Sequence, residues 1–528
     1  MQDSYKARPN MTINAGMRYS YFGSLYDKQN RLQHAELGNG SSSFTDLQIQ
    51  QGGGVWKPQK TNFGPQFGFN WSPEKFDSKL VVRGGYGLNY NQEEIAITAN
   101  TSYNPPAMEY VSFSRISPQV AGANGAKIIY STSSEPNSLY GYPSNPNTIT
   151  RYNSSNLPIV GSANITIIGD GHGHLSTSYV QHYSLGADYE LSRELVFSLG
   201  YEGSLGRHLI GQSNPNALAV TAGDGLNPLV TGGSWYNNIG SSNNNALLIS
   251  AKHQMLHGFM ASAQFMWAKS MDTEGSGPYS EDPYYPLGSK YSYGRSDYNI
   301  GKSFKVYGIW QPEIWHGNRW NEKIFGGWSL SGIFNWHTGY PYTPNYGISQ
   351  SIYCQYCGYS TLRPFYSGQG GRNHDNKAFI NGTNFIGMNA SASNQKALVN
   401  GSRGTVVAYT NEYFNVPDFQ NAITWANSTG FPYANKSMPP PPGLARNSFT
   451  GPGYRDLDAS FSKSFGLPSN RILGEKASLD IRANVFNLFN IANLSGSGVV
   501  SSISSSNFGQ DISELGGRTI TLQASFNF

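Results

Sequence analysis

The sequence predicts an all-β protein, an antiparallel barrel that crosses a membrane with its strands, and three observations predict it. Only 13% of the 528 residues are charged while 14% are aromatic. Segment after segment alternates apolar and polar positions over about 9–11 residues, the length of a tilted transmembrane strand. Very short turns join some of these segments, and long Gly/Asn/Ser/Pro-rich stretches join others.

Ordinary globular domains carry about 25% charged residues, so the charge here is roughly half of that, with 61 Gly and 35 Tyr among the residues that fill the gap. A barrel wall accounts for this, because half of each strand faces lipid, the other half is small and polar, and Tyr, Phe and Trp form girdles at both interfaces. No uninterrupted apolar run reaches the roughly 18 residues of a helical span. The mean hydropathy of −0.45 is compatible with insertion, since alternation averages out along a strand. A net charge of +4 without a clustered basic face argues against a nucleic-acid partner. Residues 1–8 contain no apolar h-region and no cleavage site, so a signal peptide is expected to be absent.

In chain order, strands are expected over 12–21, 65–71, 80–90, 180–190, 194–203, 245–255, 258–268, 302–311 and 326–337. Within them Leu195, Phe197, Leu199 and Tyr201 share one face, as do Phe259, Ala261, Ala263, Phe265 and Trp267. The last strands are the clearest. Leu457, Ala459 and Phe461 alternate with Asp456, Asp458 and Ser460, and Leu479, Ile481, Ala483 and Val485 with Ser478, Asp480, Arg482 and Asn484. At the end Ile520, Leu522, Ala524, Phe526 and Phe528 alternate with Thr519, Thr521, Gln523, Ser525 and Asn527. The total is about 13, an odd number where closed bacterial barrels have an even one. Residues 191–193 and 256–258 are tight turns. Long loops are expected near 91–176, 204–244, 269–301 and 338–452. Short turns at one end and long loops at the other are the asymmetry of outer-membrane barrels, with the long loops outside the cell.

Seven segments carry a resemblance to a known family: Asn62-Phe63-Gly64-Pro65-Gln66-Phe67-Gly68-Phe69, Val82-Arg83-Gly84-Gly85-Tyr86-Gly87, Tyr179-Val180-Gln181-His182-Tyr183-Ser184-Leu185-Gly186, Tyr201-Glu202-Gly203-Ser204-Leu205-Gly206-Arg207-His208-Leu209, Gly326-Gly327-Trp328-Ser329-Leu330-Ser331-Gly332-Ile333, Arg446-Asn447-Ser448-Phe449-Thr450-Gly451-Pro452-Gly453 and Arg482-Ala483-Asn484-Val485-Phe486-Asn487-Leu488-Phe489-Asn490. In order and spacing they resemble the TonB-dependent receptors, in particular the subgroup with a carboxypeptidase-regulatory-like domain ahead of the plug. The resemblance implies the C-terminal part of a barrel of about 22 strands in the cell outer membrane. Signal peptide, TonB-binding segment and plug are not recognisable in the chain. TonB would be reached only through that missing N-terminal part. The terminal aromatic pattern, with Phe526 and Phe528, resembles the signal by which the barrel-assembly machinery recognises its clients; otherwise it is an ordinary lipid-facing strand.

The remaining candidates are weighed against plainer readings. Cys354 and Cys357, as Cys-Gln-Tyr-Cys, suit a loop disulfide or two free thiols, because His337 and His374 lack the spacing of a zinc motif. His172 and His174 have imidazole donors for a metal, but a Gly-rich turn is read as solvated. Asp272, Glu274, Glu281 and Asp282 match no calcium loop. The aromatics Tyr279, Tyr284, Tyr285, Tyr291 and Tyr293, and Trp336, Tyr340, Tyr342 and Tyr346, either stack on a ligand or belong to the interfacial girdle. Nucleophile elbow, zinc-protease helix and phosphate loop are all missing from the sequence, so no enzyme and no cofactor are expected. The expected function is TonB-dependent uptake of an oligosaccharide, peptide or ferric chelate. The alternative is a plugless passive pore or a surface adhesion scaffold, for which the exposed Pro439-Pro440-Pro441-Pro442 run in the longest loop offers a semi-rigid surface.

Overall fold

In a strand that faces lipid, every backbone N–H and C=O must find a partner in a neighbouring strand, because the hydrocarbon offers none. The computed structural model answers that demand with one long antiparallel meander. It describes residues 2–30, 32–38, 46–106, 152–157, 163–213, 230–273, 289–312, 324–345, 363, 444–467, 477–502 and 507–527, together with six short strands between 365 and 415.

The strands are Gln2–Arg8 (β1), Met11–Tyr19 (β2), Gln33–Leu37 (β3), Leu47–Gln51 (β4), Phe63–Trp71 (β5), Leu80–Tyr90 (β6), Ala163–Ile168 (β7), Tyr179–Glu190 (β8), Leu195–Ser213 (β9), Val230–Leu256 (β10), Phe259–Asp272 (β11), Gly294–Arg295 (β12), Lys302–Trp310 (β13), Trp328–His337 (β14) and Pro341–Tyr342 (β15). Six short strands follow, Phe365–Tyr366, Gly371–Arg372, Phe385–Ile386, Gln395–Asn400, Thr405–Asn411 and Phe414–Asn415 (β16 to β21), which pair among themselves. Phe449–Thr450 (β22), Tyr454–Gly466 (β23), Ser478–Phe486 (β24) and Thr519–Asn527 (β25) complete the order.

Thirteen of these strands form the wall, in the ladder β1–β2–β5–β6–β8–β9–β10–β11–β13–β14–β23–β24–β25. The expected count is met. One of the thirteen, β1, is a strand where the sequence reading placed none. The sheet is not closed: among the described residues β1 pairs only with β2, and β25 only with β24.

Alternation sets the two faces. Leu199 of β9 stands opposite Ile249 of β10, Ile249 opposite Phe265 of β11, and Phe265 opposite Phe304 of β13. Directly opposed residues share a face, so these form a continuous outer apolar belt, and Phe197, Leu199, Trp267, Trp310, Leu522 and Phe526 are all exposed on it. The other face encloses a cavity of about 760 Å³, lined among others by Asn14, Gln66, Asn89, Ser184, Ser204 and Asn244. A wall whose outer face meets lipid needs no large core, which is why the strands carry exposed leucines and phenylalanines that a water-soluble sheet would bury.

Tight turns close one end. Leu256 pairs with Phe259 across His257 (φ 48°) and Gly258 (φ 73°), the pair of positive φ values that a two-residue hairpin of matching twist requires. Only glycine fits at 258, since a Cβ there would lie 1.9 Å from the Gln311 carbonyl oxygen.

The opposite end corrects the sequence reading most. Residues 204–213 and 230–244, expected as loop, continue β9 and β10 beyond the belt. The upper part of β10 pairs with β9 on one edge and, in parallel, with β7 on the other; β7 touches β3, and β3 pairs with β4. β7 and the upper parts of β9 and β10, which lie in stretches expected as loop, therefore fold into a small sheet with β3 and β4, which lie in a span given no element from the sequence. Ala35, Leu37, Leu47, Ile49, Leu157, Ile165, Ile167, Val230 and Trp235 form its core. A second cluster joins Val55, Trp56, Ile97, Ile168, Leu175 and Tyr236. Trp235 donates its indole N–H to the Gly169 carbonyl at 2.7 Å.

Ile167 is fully buried. Ile167→Ala is expected to destabilise this extracellular unit by about 2–5 kcal/mol through lost burial and a cavity, leaving the wall intact. Amide exchange should accelerate in β3, β4 and β7 and stay unchanged in β24; equal loss in that unit and in β24 would show that the unit is not independently cooperative.

Candidate functional site

A cleft of about 940 Å³ opens at the long-loop end of the barrel. Eight segments line it: residues 91–97 after β6, Ser178, Leu209 with Ile210, residues 240–242, Asp272 with Thr273, the 297–298 pair, residues 340–341 and residues 495–497. Each segment lies on a wall strand or within about ten residues of one, so the barrel fixes where the cleft walls stand.

The sequence motif Arg446 to Gly453 turns out to be the tie that holds two of these segments together. Arg446 donates to the Asp272 carboxylate and to the Asp272 carbonyl, with a longer contact to Asp297 at 3.4 Å. Its Nε donates to the Ser292 carbonyl at 3.0 Å. Asn447 adopts a left-handed φ of 54° and donates from Nδ2 to the Arg295 carbonyl at 2.7 Å and to Asp297 Oδ1 at 2.5 Å. In return Arg295 donates to the carbonyl oxygens of Asn447 and Phe449, at 2.6 and 2.8 Å, and to the Thr450 hydroxyl at 2.9 Å. Phe449 is buried, and β22 pairs with β15. Gly339 has to be glycine, because a Cβ would lie 1.9 Å from the Gly451 carbonyl oxygen. The sequence presented the motif as a string; its partner Arg295 could be found only from the fold.

Of the aromatic candidates, Tyr340 lines the cleft. It makes an edge contact to His337 at 5.8 Å, and His337 stacks on Tyr454 at 5.1 Å. Tyr342 packs instead against Phe449, at 5.8 Å. Trp336 lies on β14 between Phe304 and Arg455, on the outer face. Tyr279, Tyr284, Tyr285, Tyr346, Cys354, Cys357, His374, Glu274, Glu281, Asp282, Pro439 to Pro442 and Phe528 lie outside the described residues. Phe526 is exposed on the outer face opposite Leu479. Tyr298, 62% exposed, is a cleft aromatic that the sequence reading passed over; its only sequence signal was the neighbouring Tyr291 and Tyr293.

His172 and His174 sit in a turn organised by Asp170, which accepts their backbone N–H groups at 2.8 and 3.0 Å. Burial works to raise the Asp170 carboxyl. The two N–H donors and the neighbouring imidazoles outweigh it and hold it below the usual carboxylate range. The histidines thus serve a Gly-Asp-Gly-His-Gly turn in which Gly169, Gly171 and Gly173 all have positive φ. Among the described residues no three His, Cys, Asp or Glu side chains converge as metal ligands would. On the cleft rim, burial pushes the Glu93 carboxyl above the usual carboxylate range, against a backbone hydrogen bond that lowers it.

Compared with known proteins, the chain matches over residues 1–521 the family described as outer membrane beta barrel domain. No curated protein matches it. Solved structures similar to it include the outer membrane transporter YddB from Escherichia coli, at 9% identity and TM-score 0.42, covering 99% of this chain and 52% of that one. The FrpB iron transporter from Neisseria meningitidis is similar at 9% identity and TM-score 0.39, covering 99% and 43%. The ferripyoverdine receptor of Pseudomonas aeruginosa, at 9% identity and TM-score 0.40, covers 99% and 37%. The chain spans about half or less of the length of these structures.

Two outcomes are expected for the cleft. Removing one member of a buried ion pair costs about 3–5 kcal/mol, so Arg446→Ala should release residues 291–298 and 340–345, read as faster amide exchange confined to those segments. Because the folded state disfavours the charged form of Glu93, its penalty is present at neutral pH and disappears as the carboxyl protonates in acid. Glu93→Gln should therefore melt above the parent at neutral pH and coincide with it in acid; a constant offset would refute a desolvated carboxylate.

Proposed function

The chain belongs to the outer membrane beta-barrel domain family, and from that premise we propose that it supplies the wall and ligand-gathering rim of a TonB-dependent uptake system. The observation that carries this reading is the cleft of about 940 Å³ at the long-loop end. A volume of that size, framed by strand extensions and a hydrogen-bonded tie, suits a bulky solute rather than a small ion. Exposed Tyr298 and Tyr340 offer ring faces for stacking, and the serines at 241, 242, 495 and 497 offer hydroxyls. These features support an oligosaccharide, a peptide or a ferric chelate as the captured nutrient.

In this reading TonB acts through an N-terminal plug, as the resemblance of segments such as Arg446 to Gly453 implies. The barrel-assembly machinery would read the terminal strand, whose Phe526 stands outward. No catalytic step is assigned to the chain. The small polar lumen lining also favours a second reading, a passive pore, since a hydrated wall is what passive flux requires.

Tyrosine fluorescence of the purified protein, titrated with maltoheptaose, a mixed oligopeptide and a ferric hydroxamate, tests the proposal. Saturable binding of one probe is expected, weakened about tenfold or more in Tyr298→Ala/Tyr340→Ala by the loss of two aromatic anchors. Flux of the probes into liposomes without saturable binding would select the pore instead.

A further inference from the structure

The outer face carries few charges, and their placement is uneven. Along the stretch of wall from β11 to β23, alternation puts three cationic side chains on the outer face at the long-loop end: Lys269, Lys302 and Arg455. Their orientation follows from the ladder. On β11 the cavity-lining residues are Met266, Ala268 and Ser270, so Lys269 points away from the lumen. Lys302 is opposite Trp267, and Arg455 is opposite Trp336, which is itself opposite Phe304. All three cations are exposed. No described Asp or Glu of β11, β13, β14 or β23 falls on this face; Asp456 and Asp458 alternate to the lumen side with Asp272.

Spacing and surroundings fit one kind of occupant. Lys269 lies two residues beyond Trp267 and therefore diagonally across from Lys302, roughly 7–8 Å away. Arg455 is three ladder steps from β11, roughly 14 Å. Trp267 is 60% exposed between the two lysines, where an indole takes its place at the boundary of the hydrocarbon. Long cationic side chains at that level lay their stems on the apolar belt and raise their heads to the polar layer. At the turn end the arrangement differs: among the described residues of these strands the outward cation is Lys463, which is buried and donates to the Gly326 carbonyl, with Trp328 and Phe465 rings 5.5 and 5.2 Å away. That cation is satisfied within the protein. For the three at the opposite end, no Asp or Glu among the described residues of these strands shares their face.

We infer that Lys269, Lys302 and Arg455 form a docking strip for a phosphate-bearing lipid headgroup of the outer leaflet, with Trp267 and Trp336 packing on its acyl chains. This site is separate from the cleft, and its test does not depend on the uptake reading. Charge complementarity selects the occupant, because an array of cations just above an apolar wall matches phosphates carried directly above acyl chains.

The test is native mass spectrometry of the full chain in neutral detergent, titrated with bis-phosphorylated lipid A, with dephosphorylated lipid A and with inorganic phosphate as competitor. The triple variant Lys269→Gln/Lys302→Gln/Arg455→Gln should bind bis-phosphorylated lipid A more weakly by roughly fivefold per charge, on the order of a hundredfold in all. The lumen-side variant Lys252→Gln/Lys305→Gln, which also removes cations, should bind it as the parent does. Heat-modifiable migration on gels reports whether each variant is folded, and the three single variants carry the test should the triple one not assemble. Unchanged binding by the folded variants, equal loss in the lumen-side variant, or equal binding of dephosphorylated lipid would overturn the inference. Displacement of the lipid by millimolar inorganic phosphate would identify a simple anion site and overturn it as well.

Discussion

Backbone hydrogen bonding in hydrocarbon is the constraint on which everything else in this molecule depends. A strand in lipid cannot leave its amides to solvent, so the wall strands pair in sequence order with few irregularities, and side chains are freed from building a core. That freedom accounts for the composition. Outward positions need only be apolar or aromatic, inward positions only small and polar, and charge can fall far below that of a soluble protein without loss of stability.

The same ladder governs how the extracellular side is built. A strand that has been paired through the membrane costs little to extend, because each further residue adds a bond to an existing register. β9 and β10 therefore continue past the belt, and the free edge of β10 recruits β7 once β11 has diverged near Ser242 and Asp272. Outside the membrane the usual rule returns. The recruited strands bury Leu47, Ile49, Ile165 and Ile167 against one another, since the apolar side chains there meet water instead of lipid.

The wall was legible because period-2 alternation sustained over nine or more residues places one face in an apolar medium and is incompatible with a helix. The two-residue turn at His257-Gly258 was legible for a similar local reason. The strand at residues 2–8 was not, since Gln2, Asp3, Ser4, Lys6 and Arg8 give no apolar face and only pairing with β2 makes them a strand. Nor were β3, β4 and β7. Their alternation is real, as in Leu47-Gln48-Ile49 and Ile165-Thr166-Ile167, but it lasts five or six residues and is embedded among glycines and asparagines. Of the cleft, the sequence showed Tyr340 and the Arg446 to Gly453 string, but neither what the string binds nor that Tyr298 joins it. Such contacts run between residues about 150 positions apart, and no local pattern encodes them.

The tie between the two loops bears on how the cleft works. Arg446 and Asn447 meet Asp272, Ser292, Arg295 and Asp297 through side chains and carbonyls together, so neither segment can shift without unpairing a buried guanidinium. Leaving such a group unpaired is far costlier than the net gain from forming the contact. The walls on either side of Tyr298 and Tyr340 are thereby held in place, and under the proposed uptake function a solute would not have to order them at the expense of its own affinity. Under that proposal the cleft would select by shape, with any conformational response to binding left to segments outside the tie.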